Sequence, residues 1–477
     1  MRFKLCSTLF VLAGFLSAGA AAQTSSPFAP PTEKLGTYVV DSGPGLDTSC
    51  TYRGGGPLVI KLKVPAIINP KEINPDGTLK DPQKLVNNGI LSAQATIHFP
   101  VYDIDDKAVT DGTYAPEVDR VSFNGQFKKT LEGFNNTWTD DSIIIPVEEL
   151  KFGQDNELLV DIDTANVGNG EYWCMAVDWV SVEFNATAPY VLAHGISADA
   201  STWDGVVNTL DQKGVLYTRF SVTSDGSVAG NAAELDTAIQ GFLDPLKADK
   251  VNVIAHSKGG LDTQAVQALG PKYKILSLST LSTPHLGSVA ADLSIIQKTQ
   301  ADKLINSGQD PNGWASAYLN TWTFGQGPQL PGLADLTTGS AATALSLGLR
   351  GNIPTTFTIG ANADLNSDND LTSNESAGLF PGAAHYAARR AWRVLRDFSS
   401  APILSVTTVP GAFFGTKTVL TYATIVSPQA QPNDIVVTTN SANPGYGAAL
   451  GNSLANHSTV KSAANINLIL DKTIPLQ

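Results

Sequence analysis

The chain predicts two architectures in series: an all-β sandwich region over residues 37–188, then an α/β domain with a mainly parallel sheet over residues 189–477. Three observations predict them. Short strand-like runs between Asp-Gly and Asn-Gly turns fill the first region. Near residue 189 the rhythm changes to apolar strands alternating with helical stretches. One of those strands, Val253-Ile254-Ala255, runs into His256-Ser257-Lys258-Gly259-Gly260 and a helical stretch, a strand–Ser–helix turn flanked by small residues.

The elements follow in order. Met1-Arg2-Phe3-Lys4, the apolar Leu5 to Ala22 and the small Ala20-Ala21-Ala22 before Gln23 have the layout of a secretory signal over 1–22. Residues 23–36 hold Pro27, Pro30 and Pro31 and read as a linker. In the β region the expected strands include Leu58–Val64, Ala95–Phe99, Ser142–Val147, Asn156–Ile162 and Trp179–Phe184. Asp76-Gly77, Asp111-Gly112, Asn124-Gly125 and Asn169-Gly170 supply the turns. In the α/β domain Tyr190–Ala193, Val251–Ala255 and Tyr273–Ser279 are expected strands. Trp203–Leu210, Ala232–Leu246 and Ala383–Phe398 are expected helices.

Composition narrows the function. The 477 residues carry 31 Lys+Arg against 44 Asp+Glu, a formal charge of −13, with no cationic run to replace phosphate counterions. Nucleic acid is therefore excluded as an expected partner. Three Cys and no Cys-x-x-Cys argue against zinc or iron–sulfur sites. Export would leave Cys50 and Cys174 as the mature pair, and a disulfide between them would stabilise the fold by roughly 4–5 kcal/mol on the chain-entropy model.

The chemistry centres on Ser257. A nucleophile on a sharp strand-to-helix turn needs small neighbours, because the departing helix must pack against the sheet. The Gly-x-Ser-x-Gly pattern is met with Ala255 in the first Gly position. Acyl transfer also needs fixed N–H donors for an oxyanion. The expected pair is Lys258, after the nucleophile, and Ile196, in the turn His194-Gly195-Ile196-Ser197. His194 is expected to shape that turn, and Lys258 to place a cation near the pocket. Residues 288–350 form an insertion in which Trp314, Tyr318, Trp322 and Phe324 are candidates for an acyl pocket or for ordinary cap packing.

On Ala193-His194-Gly195, Ala255–Gly260, Ser282-Thr283-Pro284-His285-Leu286-Gly287-Ser288 and Leu333–Thr338, the chain resembles the bacterial secreted lipases and esterases of the α/β-hydrolase fold. The resemblance implies a Ser-His-Asp triad and carboxylic-ester hydrolysis with no catalytic cofactor. It places the acid at Asp434 in Asn433–Ala442, where Ile435 stands for a family Gly, and the base at His457 at the opening of a final helix. Read from the residues alone, Asp368 or Asp370 with His385 is a second option for acid and base. Val121–Gly125, Trp138, Ile145–Val147, Leu150–Asn156, Trp173 and Trp179 resemble galactose-binding-like jelly rolls, implying a carbohydrate or polymer surface as partner.

Asp364 to Glu375 fits the spacing of an EF-hand loop. Asp364, Asn366, Asp368, Asp370 and Glu375 are the candidate ligands of a structural calcium ion, and Asn369 takes the place of the usual Gly. The expected function is a secreted lipase or esterase. The alternatives are a polyester depolymerase of the polyhydroxyalkanoate type and a non-catalytic surface-binding protein.

Overall fold

A computed structural model describes residues 26–41, 51–106, 116–165, 174–292, 294–295, 306, 331–379, 385–397, 403–410, 416–423 and 431–476. Cys50, Trp173, the signal-like segment to Ala22 and the insertion aromatics Trp314, Tyr318, Trp322 and Phe324 lie outside them.

The first region carries β1 (Thr37–Asp41), β2 (Thr51–Tyr52), β3 (Leu58–Lys63), α1 (Pro82–Asn87), β4 (Gln94–Tyr102), β5 (Arg120–Phe123), β6 (Gln126–Thr130), β7 (Trp138–Pro146), β8 (Asp155–Asp161), β9 (Cys174–Val177) and β10 (Trp179–Glu183). They form two sheets with antiparallel pairing, β1-β10-β4-β9-β2 with β7 on β4, and β3-β8-β5-β6. Burial alternates along β8, with Asn156, Leu158 and Val160 inward, as a period of two requires. Leu62, Val121 and Val160 of one sheet share a core cluster with Ile97, Phe99 and Ile145 of the other. Asn124 (φ 48°) and Gly125 (φ 79°) form the two-residue link from β5 to β6, since both central residues of a tight hairpin turn need positive φ.

The second region runs β11 (Tyr190–Ala193), α2 (Val207–Lys213), β12 (Tyr217–Phe220), α3 (Val228–Leu243), β13 (Lys250–His256), α4 (Lys258–Leu269) and β14 (Lys274–Leu281). It continues with α5 (Pro331–Asp335), α6 (Thr338–Ser346), β15 (Thr356–Asn362), α7 (His385–Asp397), an antiparallel hairpin of β16 (Ile403–Pro410) and β17 (Thr416–Ala423), α8 (Thr439–Ala442), β18 (Ala448–Leu454) and α9 (Ala463–Thr473). The central sheet has the order β12-β11-β13-β14-β15-β18, every pair parallel. β11 is buried throughout and β13 from Val251 to His256, which is why these strands are largely apolar, with Asn252 the buried exception inside β13. Parallel strands alternating with helices in this way are the α/β architecture the sequence predicts.

The two faces of β11 enter different cores. Val191 and Ala193 join Val251, Val253 and the α3 residues Ala232, Leu235 and Ile239. Tyr190 and Leu192 join Leu210 of α2 and Ile466, Ile469 and Leu470 of α9. That second cluster continues into the β region without a break. Asn69 Nδ2 donates to Asp211 Oδ1 (2.8 Å), and Asn88 Nδ2 to Lys213 O (3.0 Å). The antiparallel region is therefore packed on the α2/α9 face of the parallel sheet.

Candidate active site

The site lies at the C-terminal ends of the parallel strands, where open α/β sheets form their crevice. Ser257 sits between β13 and α4 with φ 55° and ψ −130°. A non-glycine residue held there stores strain of order 1–3 kcal/mol. Its surroundings hold it: Ser257 N–H donates to Leu281 O (3.0 Å), and Thr283 Oγ1 donates to Ser257 O (2.8 Å). The small neighbours have a steric cause. A Cβ on Gly195 would stand 2.6 Å from Ser257 Cβ, and one on Gly259 2.5 Å from His194 O.

His457 lies between Ser257 and Asp434. Its Nδ1–H donates to Asp434 Oδ2 (2.8 Å), leaving Nε2 to accept from the Ser257 hydroxyl (2.9 Å). All three residues are buried. Asp434 Oδ1 also accepts from the N–H groups of Val436 (2.9 Å) and Val437 (2.7 Å). The His457 N–H returns to Asp434 O (3.0 Å). Ile435, in the place of the expected Gly, adopts φ 87°. Its fully buried side chain packs in the cluster of Leu371, Leu379, Ala388 and Trp392, and its N–H donates to Asn433 Oδ1 (2.9 Å). Burial of an aliphatic side chain, about 1.5–3 kcal/mol, offsets a left-handed β-branched residue.

Two expectations shift. His457 does not open the last helix: it sits in a turn, and α9 begins at Ala463. Lys258 does not present a cation to the pocket. It is fully buried and bonded to Asp262 one turn on, at 2.8 and 3.1 Å. The i,i+4 spacing on a helix was the available signal for Asp262. Burial pushes the Asp262 carboxyl up to about 6 even with Lys258 beside it.

The remaining histidines are structural in their bonding. His194 Nδ1–H donates to Gly195 O (2.8 Å) and Nε2 accepts from Val222 N–H (3.0 Å), so it ties the Ile196 turn to the segment that follows β12. His256 Nε2–H donates to His457 O (2.7 Å), and burial holds its pKa well below the usual histidine value. His285 bonds Thr280 Oγ1 (3.0 Å) and the Tyr446 hydroxyl (2.7 Å), and burial pushes it down to about 3. His385 Nδ1 lies 2.9 Å from Ser376 Oγ, while Asp370 is taken by Arg389 and Arg393. Asp368 bonds within its own loop, to Asn366 Nδ2 and the Asp370 N–H, so the structure joins Asp434 with His457 and leaves His385 bonded to neither Asp368 nor Asp370.

The candidate oxyanion donors flank Ser257. Ile196 precedes Ser197 (φ 52°), whose own N–H is taken by Ser224 O (3.0 Å). Among the described residues neither the Ile196 nor the Lys258 N–H donates to a backbone carbonyl in the turns and caps around Ser257.

In the 364–375 loop, Asp364 Oδ1 and Oδ2 accept from the N–H groups of Asp368 and Asn369 (both 3.2 Å). Glu375 accepts from Leu365 N–H (2.8 Å) and Thr372 N–H (2.7 Å). Asn369 is left-handed, φ 62°. Asn366 Nδ2 bonds Asp368 (2.9 Å). Among the described residues no three acidic, His or Cys side chains converge as a metal cage. The loop also supports the site, because Asn456 Nδ2, beside His457, donates to Glu375 O (3.0 Å) and Ala377 O (2.8 Å).

No family model matches the chain. It is 38% identical over 96 residues to triacylglycerol lipase 2 of Saccharomyces cerevisiae, covering 19% of this chain and 29% of that protein. It is 29% identical over 141 residues to triacylglycerol lipases of Pseudarthrobacter phenanthrenivorans and Burkholderia plantarii, covering 28% of this chain and 41% and 36% of theirs. The chain thus spans less than half the length of each of these relatives. A crystal structure of mature Bacillus licheniformis lipase aligns over 60% of this chain and 92% of its own, with 18% identity and a TM-score of 0.40. Over these partial stretches, the chain is similar to triacylglycerol lipases.

Proposed function

We propose that this protein is a serine carboxylic-ester hydrolase, a lipase or esterase that works through an acyl-enzyme. The observation that carries the reading is the bonded chain from Ser257 Oγ through His457 to Asp434, set on a strained strand-to-helix turn. His457 Nε2 takes the hydroxyl proton as Ser257 attacks the ester carbonyl. Asp434, already bonded at Nδ1, holds the tautomer and stabilises the imidazolium. The Ile196 and Lys258 N–H groups receive the oxyanion. His457 returns the proton to the leaving alcohol, and water then cleaves the acyl-enzyme by the same relay. Ser257→Ala tests this: purified variant should lose ester hydrolysis and fluorophosphonate labelling together. Full activity in that variant would end the reading, and absent labelling in the wild type would favour a non-catalytic binding protein.

The substrate belongs to the same proposal. Apolar side chains exposed on the β region, Phe127, Phe134 and Ile144, support adsorption to a polymer surface and so a polyester as the second reading. Turnover of polyester film against triglyceride emulsion separates the two. The wider proposal includes export, with residues 1–22 removed. No helix among the described residues is long and apolar enough to cross a membrane. It includes a Cys50–Cys174 disulfide, supported by the pairing of Thr51 with Met175 and Tyr52 with Cys174. It also includes calcium in the 364–375 loop, supported by the left-handed Asn369. In such a loop position 7 offers its backbone carbonyl, which leaves the Asp370 carboxylate to Arg389. Calorimetric titration of calcium into the full chain should give heat that Asp364→Asn removes; no heat in the wild type would remove calcium from the account.

A further inference from the structure

Lys258 and Asp262 form an ion pair in a place where desolvation works against charge. Their side chains are 1% and 2% exposed. Taking two charges out of water costs several kcal/mol per ion, and replacing such pairs by packed hydrophobic residues is often neutral or stabilising. Stability alone is therefore a poor reason for this pair, and its surroundings suggest another.

Lys258 is the first residue of α4, and its N–H is one of the two candidate oxyanion donors. From Nζ the pair passes to Asp262, and Asn231 Nδ2 of α3 donates to Asp262 Oδ2 (3.3 Å). The Lys258 stem lies under α5: a Cβ on Gly332 would stand 2.9 Å from Lys258 Cε and 2.5 Å from Gly226 O. Gly332 N–H donates to Asp225 O (3.1 Å). Ser197 Oγ donates to Asp225 Oδ1 (2.8 Å), and Ser197 follows Ile196, the other donor. Asp335 Oδ2 closes the frame by accepting from Val228 N–H (2.6 Å) at the start of α3. Apolar contacts run the same way, since Ile196 and Leu333 pack on the cluster of Val228, Leu261, Ala291 and Leu336. Both donor N–H groups thus belong to one bonded frame whose buried centre is the Lys258–Asp262 pair.

We propose that Lys258 is a positioning residue for the ester hydrolysis described above: its buried bond to Asp262 fixes the orientation of the Ser257–Lys258 peptide, and so the oxyanion donor, relative to the Ile196 turn. The inference rests on the serine-hydrolase reading. The pair acts through the peptide and touches neither substrate nor the reacting atoms. Its loss leaves the donor present but loosely aimed. That acts on the transition state, where the oxyanion exists, more than on the bound ester.

The test compares wild type, Lys258→Met and the double variant Lys258→Met/Asp262→Leu, which replaces the whole pair with apolar side chains. Each is read per active site, titrated with a fluorophosphonate, so that unfolded protein does not count. The expected result is a fall of about tenfold in kcat for both variants with KM within about twofold, the signature of an interaction made in the transition state. Affinity for a boronic acid, which mimics the tetrahedral intermediate, should fall by a similar factor. The double variant should melt no lower than wild type while remaining slow. A double variant with wild-type kcat per site would overturn the proposal and leave the pair a structural feature. A tenfold rise in KM with kcat unchanged would also overturn it. Failure of the underlying reading looks different: the wild type itself would neither label at Ser257 nor turn over esters.

Discussion

Gly195→Ala tests the close approach at the centre of the site. The new Cβ would stand 2.6 Å from Ser257 Cβ and 3.1 Å from Ser257 Oγ. Ordinary carbon contacts lie near 3.5–4.0 Å, so the two groups must separate by about 1 Å. Ser257 has little freedom to yield, with its N–H on Leu281 O, its C=O on Thr283 Oγ1 and its hydroxyl 2.9 Å from His457 Nε2. The displacement falls on the hydroxyl and on the Ile196 turn together. A misplacement of that size costs roughly 100-fold in rate, or about 2.7 kcal/mol of transition-state stabilisation. The assay is kcat/KM on a nitrophenyl ester, with fluorophosphonate labelling rate and a thermal melt on the same sample. Activity and labelling within threefold of wild type, in a folded variant, would refute the steric reasoning.

Three further perturbations follow from particular contacts. Asp434→Asn keeps one acceptor oxygen where the carboxylate serves two N–H groups and His457, so the amide NH2 meets Nδ1 and selects the wrong tautomer; kcat should fall by about 10⁴, and a loss below tenfold in steady-state assays would contradict the relay. Glu117 and Asp119 are buried side by side; desolvation raises both carboxyls, and the Asp119 charge raises Glu117 further. The native state then binds more protons than the unfolded state above the ordinary carboxylate range, so stability should fall as pH rises from about 5 to 8; Glu117→Gln should flatten the urea-midpoint profile, and an unchanged slope would disprove the assignment. Gly241→Ala, in the last turn of α3 with nothing within 4 Å of the new Cβ, should raise stability by at most about 0.5–1 kcal/mol with activity unchanged, as read by urea denaturation.

Much of the site could be read in the chain because its requirements are local. A Ser between small residues after an apolar strand describes the elbow, and Asn124-Gly125 announces its hairpin, because those conformations are set by neighbouring atoms. In the sequence Lys258 suggests a pocket cation, because the residue type alone says nothing of which way it turns; Asp262 at i+4 decides that. Ile435 was legible only as a missing Gly. Its φ of 87° is sustained by Asn433, two residues back, and by burial against α7, whose residues lie far off in sequence.

The sequence by itself determined the strand-to-helix turn at Ser257, the alternation that sets sheet faces, and the change from antiparallel to parallel architecture near residue 189. Each follows from backbone sterics and the period of apolar side chains over a few residues. Read from the residues alone, two pairings of acid and base stay open, and the tertiary structure brings Asp434 to His457. Asp434 and His457 are separated along the chain by all of α8 and β18, and the choice against His385 rests on Ser376 and Arg389 taking the side chains of that alternative. A relay of two hydrogen bonds needs placement to a few tenths of an ångström. Only the packed parallel sheet, with Asn362 accepting from Ala455 and Asn433 from Ala363, supplies that.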